Sequence, residues 1–260
     1  QENFDVVIVD EAGQINQPAV IGVLQAAEKF VLVGDHKQLP PLVQNELAED
    51  GGYGESMLKR LAELHPPSVA VLTMQYRMAK DICQLSNDIM YAGQLKCGNV
   101  KVSSQRLKID GRHAGLSDWV KQAIQPQDTV TFVDTDGAVS RQQKLKKVLE
   151  RKASRGGSIV NDTEASIVKK LVLGLSHGGI DLKSIGVICP FRAQIRLLEK
   201  DSLVDKWKEK GLELSTIDRY QGRDKDVIIL SLVRSNEQGT VGRLLSDARR
   251  LNVAVTRAKQ

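Results

Sequence analysis

Aromatic side chains are scarce in this sequence. Phe, Tyr and Trp together make up 4% of its 260 residues. A surface that holds single-stranded nucleic acid mainly by stacking bases on rings is therefore not expected, because such surfaces need several aromatic residues. The formal net charge of +5 suits a polyanionic partner, which would instead be bound through its backbone phosphates.

Cysteine is rare too, and long apolar runs are missing. Cys83, Cys97 and Cys189 are an odd number without metal-like spacing, so we expect reduced thiols of a cytosolic or nuclear protein and no metal or iron–sulfur site among them. The sequence shows neither a signal peptide nor an apolar stretch of membrane-spanning length, so no membrane partner is expected.

One phosphate-binding motif is absent, although a motif that usually accompanies it is present. We find no glycine-rich loop that ends in Gly-Lys-Ser/Thr. The apolar run from Phe4 to Val9 nevertheless stops at two acids, Asp10 and Glu11. This order is typical of a buried parallel strand that ends where open α/β sheets bind ligands. Carboxylates at that point suit nucleotide-bound magnesium, and a second acid can polarise an attacking water.

Strand-like and helix-like segments alternate along the chain, which predicts an α/β fold with parallel sheets and helices on both faces. Its length suits two domains. Helical spacing predicts helices over residues 55–64 and 161–175, the second beginning with a capping box of Asn161 and Glu164. Strands are predicted at residues 5–9, 30–33, 69–72, 130–133, 185–189 and 227–233.

The middle of the chain differs in character. Residues 97–128 are polar and weakly periodic, which favours an insertion or a peripheral element. Residues 141–155 hold seven Lys or Arg against one Glu and are followed by Gly156 and Gly157. We interpret this run as a solvated basic helix and a hinge, in preference to a nucleic-acid contact.

Two polar clusters follow predicted strands in the first part of the chain. In GDHKQLPP (residues 34–41), Asp35 can hold a turn through its side chain, and Gln38 offers a donor and an acceptor to a γ-phosphate or its water. In QYRM (residues 75–78), Arg77 has the planar fork that matches phosphate oxygens, and Tyr76 could stack on a base. Packing of a Tyr-Arg pair on the surface is the alternative.

Three further clusters lie near the end. CPFRAQ (residues 189–194) runs from a strand into a helix whose free N–H groups suit a phosphate. TIDRYQGRDKD (residues 216–226) precedes an apolar strand, as ligand loops often do. LNVAVTRAK (residues 251–259) predicts an apolar helix that exposes Arg257, which could stabilise the charge that develops in phosphoryl transfer. A core helix with snorkelling cations is the alternative.

In this order, DEAGQ, GDHKQLPP, QYRM, CPFRAQ, TIDRYQGRDKD and LNVAVTRAK resemble the motif series of superfamily 1 helicases, in the 5′ to 3′ branch of RNA-surveillance and DNA-replication helicases. The longer stretches VGDHKQLPPLVQNELA and IDRYQGRDKDVIILSLVRSNEQGTVGRLL are similar to the eukaryotic replication helicase/nucleases that trim flaps and resect ends. The resemblance covers nearly the whole chain and is weakest at residues 103–157.

The resemblance implies RecA-like sheets in two P-loop NTPase-type domains, the first incomplete. Residues 1–73 would be the C-terminal part of the first domain, and residues 74–260 the second, with a variable segment at about 98–157. The phosphate loop would precede this chain, and the nuclease domain and iron–sulfur cluster would lie outside it. A first domain cut within its sheet should expose apolar side chains and a strand edge.

The resemblance also implies roles for individual residues. Closure of both domains on one nucleotide would be required for hydrolysis. The implied catalytic and nucleotide-binding residues are Asp10 for magnesium, Glu11 for the water, Gln38 for the γ-phosphate, Tyr76 for adenine, Arg77 and Arg257 for the phosphates, and Gly222 and Asp224 near the ribose. Relatives often carry Glu at position 224, and the shorter Asp leaves that contact open. The residues implied to line a DNA groove are Pro40, Pro190, Phe191, Arg192 and Thr216. Gly13 stands where Ser or Ala is expected, which should mainly affect turn flexibility.

The function implied is ATP-dependent movement on single-stranded DNA in replication and repair, with ATP and Mg²⁺ as cofactors. An RNA-directed helicase of the surveillance type and a non-hydrolytic nucleic-acid clamp are the alternatives. The implied protein is a nuclear monomer, with mitochondria as a second location, that works with single-strand-binding and replication or repair proteins.

Because the phosphate loop is missing from the sequence, the 260-residue chain by itself should show little or no ATPase activity. The measurement is phosphate release with and without single-stranded DNA. DNA-stimulated turnover that Glu11→Gln abolishes would contradict this expectation.

Overall fold

A computed structural model describes residues 4–110, 115–135, 149–153 and 158–260. The chain divides into two units, residues 1–73 and 74–260. Among the described residues the first unit has one parallel strand pair and the second has three, and each unit has its own buried cluster.

The first unit is built on two parallel strands. Its elements, in chain order, are β1 (Phe4–Val9), α1 (Gln17–Leu24), β2 (Ala27–Leu32), α2 (Glu46–Asp50) and α3 (Met57–Leu64). The strands pair in register, with Val9 opposite Leu32. Asn16 caps α1 by accepting a hydrogen bond from the Ala19 N–H, which satisfies a donor that the helix itself leaves free.

Apolar burial in the first unit is small. Val9, Ala12 and Val20 form its buried cluster. In contrast, Ile8 is 70% and Leu72 is 89% exposed. The exposed apolar side chains expected of this unit are therefore present, and soluble monomers rarely leave large contiguous patches of such residues uncovered.

The second unit is larger. Its elements, in chain order, are β3 (Met74–Gln75), α4 (Lys80–Ser86), β4 (Lys96–Cys97), α5 (Val100–Ser103), α6 (Asp118–Ala123), β5 (Arg151–Lys152), β6 (Ile159–Val160), α7 (Asp162–His177), β7 (Ile185–Cys189), α8 (Arg192–Leu198), α9 (Ser202–Glu209), β8 (Glu213–Thr216), α10 (Ile217–Tyr220), β9 (Val227–Leu230), α11 (Arg243–Ser246) and α12 (Ala248–Val255).

A parallel sheet in the order β8-β7-β9 forms the centre of the second unit. All five residues of β7 are buried, as a near-continuous apolar run predicts for a central parallel strand. Helices α7, α8 and α9 contribute buried side chains to the same cluster, among them Val172, Leu198 and Trp207. The predicted α/β fold class with parallel sheets is confirmed.

Helix α7 begins as predicted but uses its glutamate differently. The Asn161 side chain accepts a hydrogen bond from the Glu164 N–H, as in a capping box. The Glu164 carboxylate, however, accepts hydrogen bonds from the Ser231 hydroxyl at 2.7 Å and the Val233 N–H at 2.9 Å. The Asn161 N–H instead donates to Gln194. The predicted hydrogen bond from the Asn161 N–H to the Glu164 side chain is therefore wrong. Both groups bond instead to residues that are distant in sequence.

The strands predicted at residues 69–72 and 130–133 are wrong. Both segments lack regular secondary structure, and a strand needs a hydrogen-bonded neighbour as well as an apolar pattern. The strand predicted at 30–33 lies at Ala27–Leu32, and the one predicted at 227–233 ends at Leu230. Beyond it, Val233 adopts a left-handed conformation with φ of 71°, which a strand cannot accommodate.

The predicted basic helix falls mostly outside the described residues, at 141–148 and 154–155, as do Gly156 and Gly157. Where the structure describes this run, the helix is wrong, because Arg151 and Lys152 form β5 and pair antiparallel with β6. None of the helices in the described ranges combines the length and apolarity needed to span a bilayer.

Leu198 offers a test of the second core, since only 1% of its surface is exposed. Leu198→Ala should lower the free energy of unfolding by about 2–5 kcal/mol, through lost burial and a cavity. The matched control is Leu203→Ala, because Leu203 is 42% exposed. Its effect should be about 0.5 kcal/mol or less. Urea unfolding followed by tryptophan fluorescence measures both, and equal losses would contradict the described core.

Candidate nucleotide and nucleic-acid sites

Asp10 and Glu11 lie directly after β1, exposed at the carboxyl end of the strand pair. Glu11 has a left-handed backbone with φ of 50° and ψ of 34°, which is uncommon for a residue with a side chain. Its N–H donates to Asp10 Oδ1 at 2.8 Å, and its carboxylate accepts from Gln14 Nε2 at 2.9 Å. These bonds hold the two acids in a tight local turn.

The turn after β1 packs against the loop after β2. The Ala12 N–H donates to the Val33 carbonyl at 2.8 Å. A Cβ added to Gly13 would lie 3.0 Å from the Asp35 carbonyl oxygen, and one added to Gly34 would lie 3.0 Å from the Gly13 nitrogen. Gly13 therefore acts through close packing of two backbones, and not mainly through turn flexibility as its sequence suggests.

Asp35 holds the second loop, as predicted from the sequence. Its side chain accepts hydrogen bonds from the Lys37 N–H at 2.9 Å and from Gln38 Nε2 at 3.0 Å. Leu39, between Gln38 and Pro40, is buried and anchors the loop. The structure thus brings the loop of Gln38 beside the turn of Asp10 and Glu11.

Asp10 has the chemistry expected of a magnesium ligand. Its exposed carboxylate stands at the carboxyl end of a parallel strand. Mg²⁺ usually takes one or two protein carboxylates and fills its other positions with water and phosphate oxygens. The residue present at this point fits such an ion.

In the second unit, one carboxylate holds two cations. Asp224 Oδ1 lies 2.8 Å from Lys259 Nζ, and Asp224 Oδ2 lies 3.4 Å from Arg77 Nε. The hydrogen bond from Lys259, together with the positive charges of Lys259, Arg77 and Arg257, holds the pKa of Asp224 below its ordinary value. Three cations around one carboxylate leave a net positive site, which suits phosphate oxygens.

Arg257 is buried, and the expectation that its helix exposes it is wrong. Only 3% of its surface is accessible, and α12 ends before it at Val255. Its Nε donates to the Val253 carbonyl at 3.0 Å, and Nη2 donates to the Thr256 hydroxyl at 3.0 Å. These short-range bonds to the end of its own helix fold the guanidinium inward, which an apolar pattern cannot show.

Backbone bonds join the three motifs of this site. The Ala79 N–H donates to the Lys259 carbonyl at 2.8 Å, and the Lys225 N–H donates to the Arg257 carbonyl at 3.0 Å. Arg77 Nη1 also donates to the Thr256 carbonyl at 3.2 Å. The QYRM loop and the segment of Asp224 therefore lie on either side of residues 256–259, which brings Arg77, Asp224 and Arg257 together.

Tyr76 and Gly222 lie at accessible positions of the same unit. Tyr76 is 66% exposed, directly before Arg77. Gly222 is exposed and has φ of 79°, a conformation that favours glycine, with open space where a Cβ would be.

The predicted nucleic-acid residues of the second unit lie at the carboxyl ends of its sheet strands, away from the loop of Asp224. Cys189 at the end of β7 pairs with Thr216 at the end of β8, so Pro190, Phe191 and Arg192 follow β7 at the carboxyl edge beside Thr216. Arg192 is exposed there. The loop of Asp224 precedes β9 and lies at the amino edge, where Lys225 Nζ contacts Glu213 Oε1 at 2.9 Å. Pro40 belongs to the first unit.

Lys259 is not among the site residues that the sequence predicts. Its signal was present, since it stands two positions after Arg257 in the TRAK run. The sequence pattern assigns Lys259 no partner, and only the fold shows that it contacts Asp224.

Comparison with known proteins links these motifs to a family. A family profile described as an AAA domain matches residues 53–260. The chain belongs to this AAA domain family. A second profile with the same description matches residues 1–46. The two AAA domain profiles together thus include every predicted site residue.

Several similar proteins bear the name DNA replication ATP-dependent helicase/nuclease. The chain is 42% identical to that of Schizosaccharomyces pombe over 267 residues, which cover 100% of this chain and 18% of the relative. It is 41% identical to that of Saccharomyces cerevisiae, with 100% and 17% covered, and 42% identical to that of Homo sapiens, with 98% and 24% covered. The predicted resemblance is confirmed, and the chain spans only 17% to 24% of the length of these relatives.

The Asp224 cluster gives a pH-dependent prediction. Lys259→Met removes the positive charge and keeps the length of the stem, so the pKa of Asp224 should rise toward the ordinary value of about 3.9. A lowered carboxyl pKa adds stability above the unfolded value, and this contribution is lost as the pH falls through the folded value. The variant should therefore be less stable than the parent at pH 7, and the difference should shrink below about pH 4.

NMR titration of the Asp224 carboxyl carbon, with urea unfolding at both pH values, measures this effect. Lys206→Met, at an exposed position of α9, is the matched control. An unchanged Asp224 titration in Lys259→Met would show that Lys259 does not act on this carboxylate.

Proposed function

We propose that this chain is part of the motor of an ATP-dependent DNA helicase, and that ATP hydrolysis drives its movement 5′ to 3′ on single-stranded DNA. The observation that carries the proposal is the cluster of Arg77, Arg257 and Lys259 around Asp224, built from three motifs that are distant in sequence. The names of the similar proteins support both the nucleotide and the DNA.

The first unit would supply the negatively charged and polar groups for ATP hydrolysis. Asp10 would ligate Mg²⁺, which would neutralise phosphate charge when bound with ATP. Glu11 would accept a proton from the attacking water, and its position is set by the left-handed turn and the bond to Gln14. Gln38, held by Asp35 in the neighbouring loop, would orient this water or contact the γ-phosphate.

The second unit supplies the cations. Arg77 would stabilise the charge that spreads over the phosphate oxygens during transfer. Arg257 would have to turn outward from Val253 and Thr256 to reach them, because its guanidinium is buried. Asp224 holds Arg77 and Lys259 in place before the ligand arrives, which reduces the entropy lost on binding. Tyr76 would stack on adenine, and the open loop of Gly222 and Asp224 would meet the ribose.

The carboxyl edge of the second unit's sheet would contact the nucleic acid, and Pro40 of the first unit would contact it as well. Arg192 would contact phosphate, while Pro190, Phe191 and Thr216 would shape the groove. Contacts of this kind carry little sequence preference and weaken as salt increases. The protein would be a nuclear monomer, with mitochondria as a second location. Its partners would be single-strand-binding and replication or repair proteins. The nuclease and the iron–sulfur cluster of such a protein would lie outside this chain.

The names of the similar proteins favour DNA over the RNA of a surveillance helicase. Competition between DNA and RNA oligonucleotides of one sequence for the full-length protein distinguishes the two. A non-hydrolytic clamp is disfavoured, because such a module has no use for Glu11, Arg77 and Arg257 together.

Glu11→Gln tests the catalytic proposal in the full-length protein. It keeps the hydrogen-bonding shape and removes the proton acceptor, so DNA-stimulated ATPase turnover should fall about 10²- to 10⁴-fold while nucleotide affinity is retained. Glu28→Gln, at an exposed position of β2, is the control and should leave turnover unchanged. Normal turnover in Glu11→Gln would exclude Glu11 as the base.

A further inference from the structure

The ring of Tyr76 lies against the main chain of Gly98. A Cβ placed on Gly98 would come 2.2 Å from Tyr76 Cε1, 2.3 Å from Cζ and 2.6 Å from Cδ1. Real Cβ atoms do not approach carbon so closely, because repulsion rises steeply inside van der Waals contact. Any side chain at position 98 would therefore displace the ring from the place it occupies.

The backbones on both sides of this contact are fixed to each other. Strand β3, which leads into Tyr76, pairs in parallel with β4, which leads into Gly98. The Gly98 N–H donates to the Gln75 carbonyl at 2.8 Å. Gln75 Oε1 in turn accepts from the Arg77 N–H at 2.9 Å and from the Met78 N–H at 2.7 Å. A larger residue at position 98 could not be relieved by a local backbone shift without breaking this frame.

Tyr76 nevertheless remains 66% exposed. Its Cδ1, Cε1 and Cζ atoms lie against Gly98, while much of its surface is accessible to a ligand. A large aromatic ring held in this way on an open surface loses little conformational freedom when a second flat ring stacks on it.

We propose that Gly98 is a positioning residue for nucleotide binding, which allows the Tyr76 ring to lie on the backbone and to present itself to the base of a nucleoside triphosphate. The proposal rests on the proposed function, in which Tyr76 stacks on adenine. Purine bases gain more from this support than pyrimidines, because they offer a larger stacking surface. Gly98 therefore contributes to selection of the base and does not contact the phosphates.

The experiment measures ATPase kinetics of the full-length protein with ATP and with CTP. Gly98→Val should raise the KM for ATP about tenfold, which corresponds to the loss of one base–aromatic stack, and should leave kcat nearly unchanged. The KM for CTP should rise less, so the preference for ATP over CTP should fall. Gly98→Ala gives the same direction with a smaller change in volume, in case Gly98→Val does not fold.

Tyr76→Ala separates the inference from the proposed function. If the ring stacks on adenine, Tyr76→Ala raises the KM for ATP, and adding Gly98→Val to it has no further effect. If Tyr76→Ala raises the KM but both Gly98 variants leave it unchanged, the role of Gly98 is wrong while the proposed function stands. If Tyr76→Ala has no effect on the KM, adenine stacking fails, and the inference fails with it.

Gly22→Ala is the control, because α1 has open space where this Cβ would be. It should leave both KM values unchanged. A Gly98 variant that lowers kcat and raises the KM equally for ATP and CTP would indicate general damage to the fold and would overturn the proposed role.

Discussion

The cation cluster of the second unit depends on one counter-ion, the carboxylate of Asp224. Arg77, Arg257 and Lys259 come from opposite ends of that unit, and their positive charges would repel one another without a counter-ion. Asp224 compensates part of this charge and leaves a positive remainder. The backbone bonds that surround it, such as that from the Lys225 N–H to the Arg257 carbonyl, keep the cations at fixed positions.

In the first unit, Asp10 and Glu11 are held in place although the buried cluster of that unit is small. Two glycines allow the loop backbones after β1 and β2 to touch, and Asp35 closes the second loop with its own side chain. The left-handed backbone at Glu11 stores local strain. Such strain persists only where neighbouring bonds enforce it, and here those neighbours are Asp10 and Gln14.

The sequence predicts features that depend on local pattern. The strand before Asp10, the buried strand Ile185–Cys189 and the cap at Asn161 each follow from residues that are close together in the chain. The predicted strands at 69–72 and 130–133 fail because pairing depends on a distant partner. The burial of Arg257 and the place of Lys259 escape prediction for the same reason: whether a cation turns inward depends on which oxygens the fold brings to it.

The peptide between Thr216 and Asp224 joins the two edges of the second unit's sheet. Between them stands Tyr220, which is fully buried, and its hydroxyl occupies the space left by the missing side chain of Gly186 on β7. Burial also raises the pKa of this hydroxyl well above its ordinary value, so it stays uncharged. The segment cannot slide over the sheet without extracting this ring. The backbone between Thr216 and Asp224 is thus anchored at its midpoint, so one buried ring helps to set the positions of both of its ends.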